Sequence, residues 1–311
     1  MPLVASALAP LVLLIGVGVA LARGRFLPDG FWPGLDRLNY WVFFPALILE
    51  SLATSEVGLG GSGRVAVALW GGLALVALAT LTLRRVVAAD GPAFSSVFQG
   101  AVRFNSYVAF LVVPVLYPGS DGAVALFVAL TVPVVNVLAV LVLARFAGAA
   151  ALDGRTLLRS IASNPLIAAS LLGLVANVAG TPLGPLARAL ELLGQAALAA
   201  GLLSVGASLR FREAGRRTRP ILASMALKFV ALPLATFALG VALALPAAWL
   251  GPLVLFQAMP TASASYVLAR AMGGDERLMA SILAIHTVAA IGTLPLAYAA
   301  LQAALRAASG G

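Results

Sequence analysis

Cysteine is absent from the 311 residues, which excludes disulfides, a thiol nucleophile and any cysteine metal site. Charge is nearly as scarce: Asp, Glu, Lys and Arg make up 10% of the chain against 62% hydrophobic residues, and the mean hydropathy is +1.05. So little polar surface cannot coat a water-soluble globule, whereas a bilayer solvates apolar side chains directly. Histidine occurs once, at His286, and no metal, nucleotide or phosphate-loop spacing is present. What the chain does contain is a succession of apolar runs, each about 20 residues long, the length a helix needs to cross roughly 30 Å of hydrocarbon. It reads as an all-α integral membrane protein without cofactor or metal.

Gly/Pro clusters and charges punctuate ten transmembrane helices near 3–22, 34–53, 64–87, 94–117, 122–146, 160–180, 185–208, 220–244, 248–271 and 276–303. The Ala20-Leu21-Ala22 end of the first resembles a signal-peptidase site, but no Lys or Arg precedes Arg23, so an uncleaved helix is expected. Of the 20 basic residues, Arg103 and Lys228 fall inside spans and only Arg64, Arg188 and Arg306 fall to one side. All the others fall to the opposite side, which the positive-inside rule makes cytoplasmic and which puts both termini outside the cytoplasm. The net charge of +9 thus reads as a topology anchor against anionic lipid, the run Arg210 to Arg219 included, and not as a nucleic-acid surface. A multi-pass protein of a prokaryotic cytoplasmic membrane follows, with homodimerisation left open.

Ten spans divide into two sets of five, and an odd number per set gives the halves opposite orientation. Phe98-Gln99 followed by Ser106-Tyr107-Val108 in span 4 is echoed by Phe256-Gln257 followed by Ser265-Tyr266-Val267 in span 9. Pro10-Leu11 in span 1 and Pro165-Leu166 in span 6 form a weaker echo. These echoes predict a 5+5 inverted repeat: residues 1–146, a cytoplasmic linker at 147–159, and residues 160–311.

Spans 4 and 9 are also the polar ones. Span 4 carries Arg103, Asn105, Ser106 and Tyr107 ahead of Pro114; span 9 carries Pro260, Thr261, Ser263, Ser265 and Tyr266. Proline removes a backbone donor and frees carbonyls that lipid cannot satisfy, so such breaks persist where protein or a watery cavity surrounds them. Two broken helices meeting near the midplane offer half-helix N-termini to an anion, and Arg103 adds a planar multidentate donor suited to a carboxylate. The competing reading is that the prolines only kink helices, the hydroxyl residues pack helix on helix, and Arg103 snorkels toward the cytoplasmic interface. Lys228, at similar depth in span 8, is expected to snorkel.

At these residues the chain resembles the prokaryotic branch of the auxin efflux carrier family. The resemblance rests on Phe43-Phe44-Pro45-Ala46-Leu47 in span 2, Arg103-Phe104-Asn105 in span 4 and Asn164-Pro165-Leu166 opening span 6. Gly206-Ala207-Ser208-Leu209 closing span 7 and Met259-Pro260-Thr261-Ala262 in span 9 complete it. The resemblance implies that broken spans 4 and 9 cross, and that a transport domain of spans 3–5 and 8–10 moves against a scaffold of spans 1, 2, 6 and 7. It further implies a small organic anion as substrate, auxin-like or malate- or malonate-like. Asn105 and Pro260 would mark the half-helix junctions, with Arg103, Tyr107, Thr261 and Ser263 near the anion. Where the family has Gly-x-Pro soon after that Asn, this chain reads Phe110-Leu111-Val112 and places its proline at Pro114, so the first break is expected to be shifted or reshaped.

Glu50 near the outer end of span 2 and His286 within span 10 are candidates for proton coupling or substrate contact, against the alternatives of an interface-seeking Glu and a hydrogen-bonded neutral His. Asn136 in span 5 is a pathway candidate whose simpler role is interhelical glue. Gly60-Gly61-Ser62-Gly63 matches the Gly-x-Ser-Gly pattern of rhomboid-type proteases, but a Gly-rich outer linker far from His286 explains it better. A sodium-coupled symporter of the bile-acid type needs acidic oxygens near the crossing, and Glu50 and Glu191 lie far from the polar cluster. The sequence therefore points to a transporter of a small organic carboxylate and not to an enzyme.

Overall fold

A computed structural model describes residues 2–28, 30–55, 62–88, 90–148, 163–209, 215 and 217–309. Among these residues every regular element is a helix, the arrangement in which each backbone N–H and C=O can be satisfied within its own segment and so tolerate lipid. Seven helical stretches are long and apolar enough to cross a membrane: Ser6–Arg23, Ser62–Thr82, Gly91–Leu116, Asp121–Phe146, Pro185–Ser208, Thr218–Ala242 and Glu276–Ala307. Pro165–Val178 and Ala247–Gln257 are shorter apolar helices. The protein is an all-α, multi-pass membrane protein.

The helices group into two compact units, each drawn from several parts of the chain. The first comprises residues 1–58, 107–133 and 153–208. It contains α1 (Pro2–Arg23), α2 (Phe31–Leu38), α3 (Phe44–Ala53), nearly all of α7 (Ser106–Leu116), the first half of α8 (Asp121–Phe146), α9 (Pro165–Val178) and α10 (Pro185–Ser208). Helices α1 and α10 touch backbone to backbone through a reciprocal pair of glycines. A Cβ on Gly18 would collide with the Leu203 carbonyl, and one on Gly206 with the Ile15 carbonyl. Small residues at such a seam let dispersion contacts accumulate where no hydrophobic drive separates helix from lipid. Helices α3 and α9 pack in the same way at Gly173, where a Cβ would lie 2.7 Å from the Leu49 carbonyl. Asn177 Nδ2 ties the pair by donating to the Ala53 and Ser55 carbonyls at 3.2 and 2.8 Å.

The second unit comprises residues 59–106, 134–152 and 209–311. It holds α4 (Ser62–Thr82), α5 (Arg84–Val87), α6 (Gly91–Val102), the second half of α8, α11 (Thr218–Ala226), α12 (Leu232–Ala242), α13 (Ala247–Gln257), α14 (Ala264–Ala271) and α15 (Glu276–Ser309). Helix α6 is the centre: every residue from Ala93 to Val102 is buried. Gly72 lets α4 meet α12 at Thr236, and Gly100 lets α6 meet Ser224 of α11 and Ile282 of α15. Asp275 fixes the start of α15: its carboxylate accepts from the Leu278 N–H at 3.0 Å and pairs with Arg217 at 2.8 Å.

Two prolines in the helices, Pro45 and Pro233, are accommodated by a local change of winding. Between α2 and α3 the chain makes a widened π-helical turn, Asn39–Phe43, and between α11 and α12 a second, Leu227–Ala231. The Phe44 N–H reaches back to Asn39 O, and the Leu232 N–H to Leu227 O, five residues instead of four. Pro45 and Pro233 follow directly. A proline ring would strike the carbonyl four residues before it, and the extra residue in the turn moves that carbonyl aside while the helix continues.

The helices depart from the expected spans at several ends. The third stops at Thr82, and residues 84–87 form the separate short helix α5 instead of extending it. The sixth starts at Pro165, capped by Asn164 Oδ1 accepting from the Leu166 N–H at 2.9 Å. Most of the 147–159 linker, the glycines 58–61 and most of the Arg210–Arg219 run lie outside the described residues.

Candidate functional site

Span 4 is interrupted at Arg103-Phe104-Asn105, between α6 and α7, and span 9 at residues 258–263, between α13 and α14. Within the second unit the two interruptions meet: the Asn105 N–H donates to the Pro260 carbonyl at 2.7 Å. The residue before a proline and the proline itself are held out of the helical ladder, so Pro260 presents its carbonyl sideways. Below this link Phe104 and Phe256 pack with ring centroids 4.5 Å apart.

Arg103 closes α6. Its backbone turns extended while its N–H still bonds Gln99 O at 2.9 Å, which puts the cation at the negative end of the helix dipole. It does not snorkel: it is 7% exposed. Nη2 donates to Asn136 Oδ1 at 2.9 Å, while Nη1 has no hydrogen-bond partner, and no carboxylate pairs with it among the described residues. Asn136 thus meets Arg103 from another helix as a neutral acceptor, a hydrogen bond between helices that leaves the guanidinium charge unopposed.

Across the break, Thr261 and Ser265 are buried with their hydroxyl oxygens 3.4 Å apart. Ser263 is partly exposed and stands at the N-cap of α14, making no side-chain cap bond there. The second unit therefore gathers Arg103, Asn105, Asn136, Pro260, Thr261, Ser263 and Ser265. The other candidates sit elsewhere. Tyr107 belongs to the first unit, with its ring against Phe44 at 5.0 Å and over Gly201, where a Cβ would lie 2.6 Å from the ring. Glu50, also in the first unit, accepts from the Thr54 hydroxyl at 3.4 Å. His286 is fully buried in the second unit, but its contacts are Ser224, at 3.0 Å, and Phe229. Its hydroxyl partner is Ser224, not the Ser62 of the protease-like motif.

The first break falls at Asn105, where the half-helix junction was expected, and Pro114 takes no part in it. Pro114 lies inside the continuous helix α7, and the interruption comes nine residues earlier, at Arg103–Asn105. Lys228 is a correction: expected to snorkel, it is completely buried. Sequence reading also passed over the glutamines within its own echo. Gln99 and Gln257 are fully buried; the Gln99 amide has no partner atoms, while Gln257 Nε2 reaches Leu69 O and Thr236 Oγ1, both at 3.4 Å. In the first unit the carboxylate of Asp36, partnered by the Ser204 hydroxyl, was likewise missed.

Helices interrupted inside a membrane protein, with a buried cation at the interruption, are a feature found in helical transport proteins. Residues 150–298 match the model of a family described as membrane transport protein. No curated protein matches the chain.

Proposed function

We propose that this membrane protein is a secondary transporter of a small organic carboxylate, and that the anion binds at the crossing of the two broken helices. The observation that carries the reading is the guanidinium of Arg103: buried, positioned by a neutral amide and left with Nη1 unpartnered. A buried cation without a counter-charge is costly, and a carboxylate meeting a guanidinium edge supplies both the charge and the planar geometry it lacks. Thr261, Ser263 and Ser265 add hydroxyl donors, and Asn105 joins the two breaks. In this reading the ten spans form a 5+5 inverted repeat with the termini outside the cytoplasm, and alternating access comes from elevator-type movement of spans 3–5 and 8–10 against spans 1, 2, 6 and 7. Efflux is the favoured direction, since an inside-negative potential drives an anion outward by about 2.3 kcal/mol per charge per 100 mV.

The test is flux from proteoliposomes loaded with labelled mono- and dicarboxylates, preceded by a thermal-shift screen of the same acids. Ligand at about 100 times its Kd stabilises the bound state by roughly 2.7 kcal/mol. Transport of an acid by the wild type, diminished in Arg103→Ala and Asn105→Ala, is the expected result. No acid moved, or undiminished flux in both variants, would refute it.

A further inference from the structure

The second unit buries another pair of titratable groups outside the crossing. Lys228 lies in the π-helical turn Leu227–Ala231 and His286 in α15; both are fully buried. Ser224, one turn before Lys228 in sequence, meets His286: its hydroxyl donates to Ile221 O at 2.8 Å and lies 3.0 Å from His286 Nε2. When the serine hydrogen is on the carbonyl, the neutral ring donates from Nε2 to Ser224. That tautomer leaves Nδ1 with a bare lone pair, and Nδ1 has no partner. Lys228 Nζ has none either.

Among the described residues no acid is at hand to hold a charge on this lysine. Of the elements packed against its turn, α6 and α12 carry no titratable side chain, and α11 carries only the exposed Arg219. Helix α4 carries only Arg64, which bonds the Leu243 and Ala244 carbonyls. Helix α15 adds Glu276, Arg277, Tyr298 and Arg306, and Glu276 accepts from Tyr266 at 2.7 Å. The other described acids of the unit are engaged as well: Asp90 caps α6 and Asp275 pairs with Arg217. An ammonium sealed in apolar surroundings without a counter-charge is far costlier than a neutral amine, so this packing accommodates the amine. Any rearrangement that wets the π-turn offers that amine a proton from water.

We propose that Lys228 and His286 form an interior proton-binding site, and that a proton is loaded onto it and released from it in step with transport. The proton forms an N–H bond at Lys228 Nζ or His286 Nδ1 on the side where the turn is wetted, and returns to water on the other. The site stands on its own geometry; only its coupling to an acid rests on the carboxylate reading. A carboxylate carried with this proton moves one negative charge fewer, and a pH gradient then drives it by up to about tenfold accumulation per pH unit for one proton.

The test uses the purified full chain with Lys228→Met and His286→Gln. In detergent, the apparent Tm of the wild type is expected to rise relative to that of Lys228→Met as pH goes from about 5 to 9, because the wild type must discard the Lys228 proton to pack and the variant has none there to lose, His286 being common to both. Parallel profiles would overturn the site. In proteoliposomes with a trapped pH dye, external malonate is expected to acidify the lumen with wild type, whereas Lys228→Met exchanges labelled malonate without acidification. Malonate entry without acidification in the wild type, or equal acidification in Lys228→Met and His286→Gln, would overturn the coupling. Diverging stability profiles in a protein that moves no acid would uphold the proton site and remove the carboxylate reading alone.

Discussion

Arg103 and Asn136 form a charge-to-neutral pair: guanidinium Nη2 rests 2.9 Å from an amide oxygen while Nη1 has no partner. Structural arginines at such depth are ordinarily matched by carboxylates; this one is oriented and left charged.

The pair predicts a split in kinetic effects. Asn136→Leu removes the acceptor that aims the guanidinium, an interaction of a charged group worth roughly 1.5–3 kcal/mol. The expected result is an increase of about tenfold in KM for the transported acid, with a smaller change in the maximal rate. Arg103→Lys keeps the charge but loses the planar fork, and its KM should rise at least as far. An unchanged KM in Asn136→Leu would show that the amide does not position the arginine.

The two prolines of the polar spans should behave differently. Pro260 lies in a break, and replacing it by Ala removes a penalty of roughly 3 kcal/mol against helix, inviting α13 and α14 to run together. Flux by Pro260→Ala should collapse. Pro114 lies within α7, clear of the break, and Pro114→Ala should retain most of the flux. Comparable losses in initial-rate assays would contradict the break at Arg103–Asn105.

The glycine seam between α1 and α10 predicts a stability defect. Gly206→Val places side-chain atoms where the Ile15 carbonyl already is, and Gly18→Val does the same at Leu203. Overpacking costs typically about 1–3 kcal/mol, more against immovable backbone. A clear drop in apparent Tm is expected for each variant. Gly16→Val on α1, where a Cβ would meet nothing within 4 Å, should leave Tm nearly unchanged.

Asp275 separates capping from ion pairing. Asp275→Ala loses both the Leu278 cap and the Arg217 pair, and should cost about 1–2 kcal/mol. Asparagine caps as well as aspartate, so Asp275→Asn loses mainly a part-exposed ion pair, worth up to about 1 kcal/mol. Chemical denaturation should rank wild type, Asn and Ala in that order.

Much of this architecture was legible because lipid imposes length and polarity rules that leave direct traces. Apolar runs gave the helices, and the clustering of Arg103, Asn105 and Pro260 in two spans marked the interruptions. Depth along a helix can be counted from its ends, but the direction a side chain faces cannot once the winding changes. Lys228 shows this: its distance from the helix end suited snorkelling, yet it lies in a widened turn that points it inward. A proline such as Pro233 does not by itself announce how its helix will adjust, since a kink and a π-turn both relieve the same clash. The buried state of Gln99 and Gln257 was out of reach because an amide in an apolar run reads equally well as packing or as a site.

The link between the two breaks is made by main-chain atoms, the Asn105 N–H and the Pro260 carbonyl. Side-chain replacement at position 105 therefore leaves the joint in place, with proline as the exception because it alone deletes the donor. A mutational scan can report what the Asn105 carboxamide contributes while staying blind to the joint itself. The residue at 105 can thus change while the junction between the two breaks stays in place.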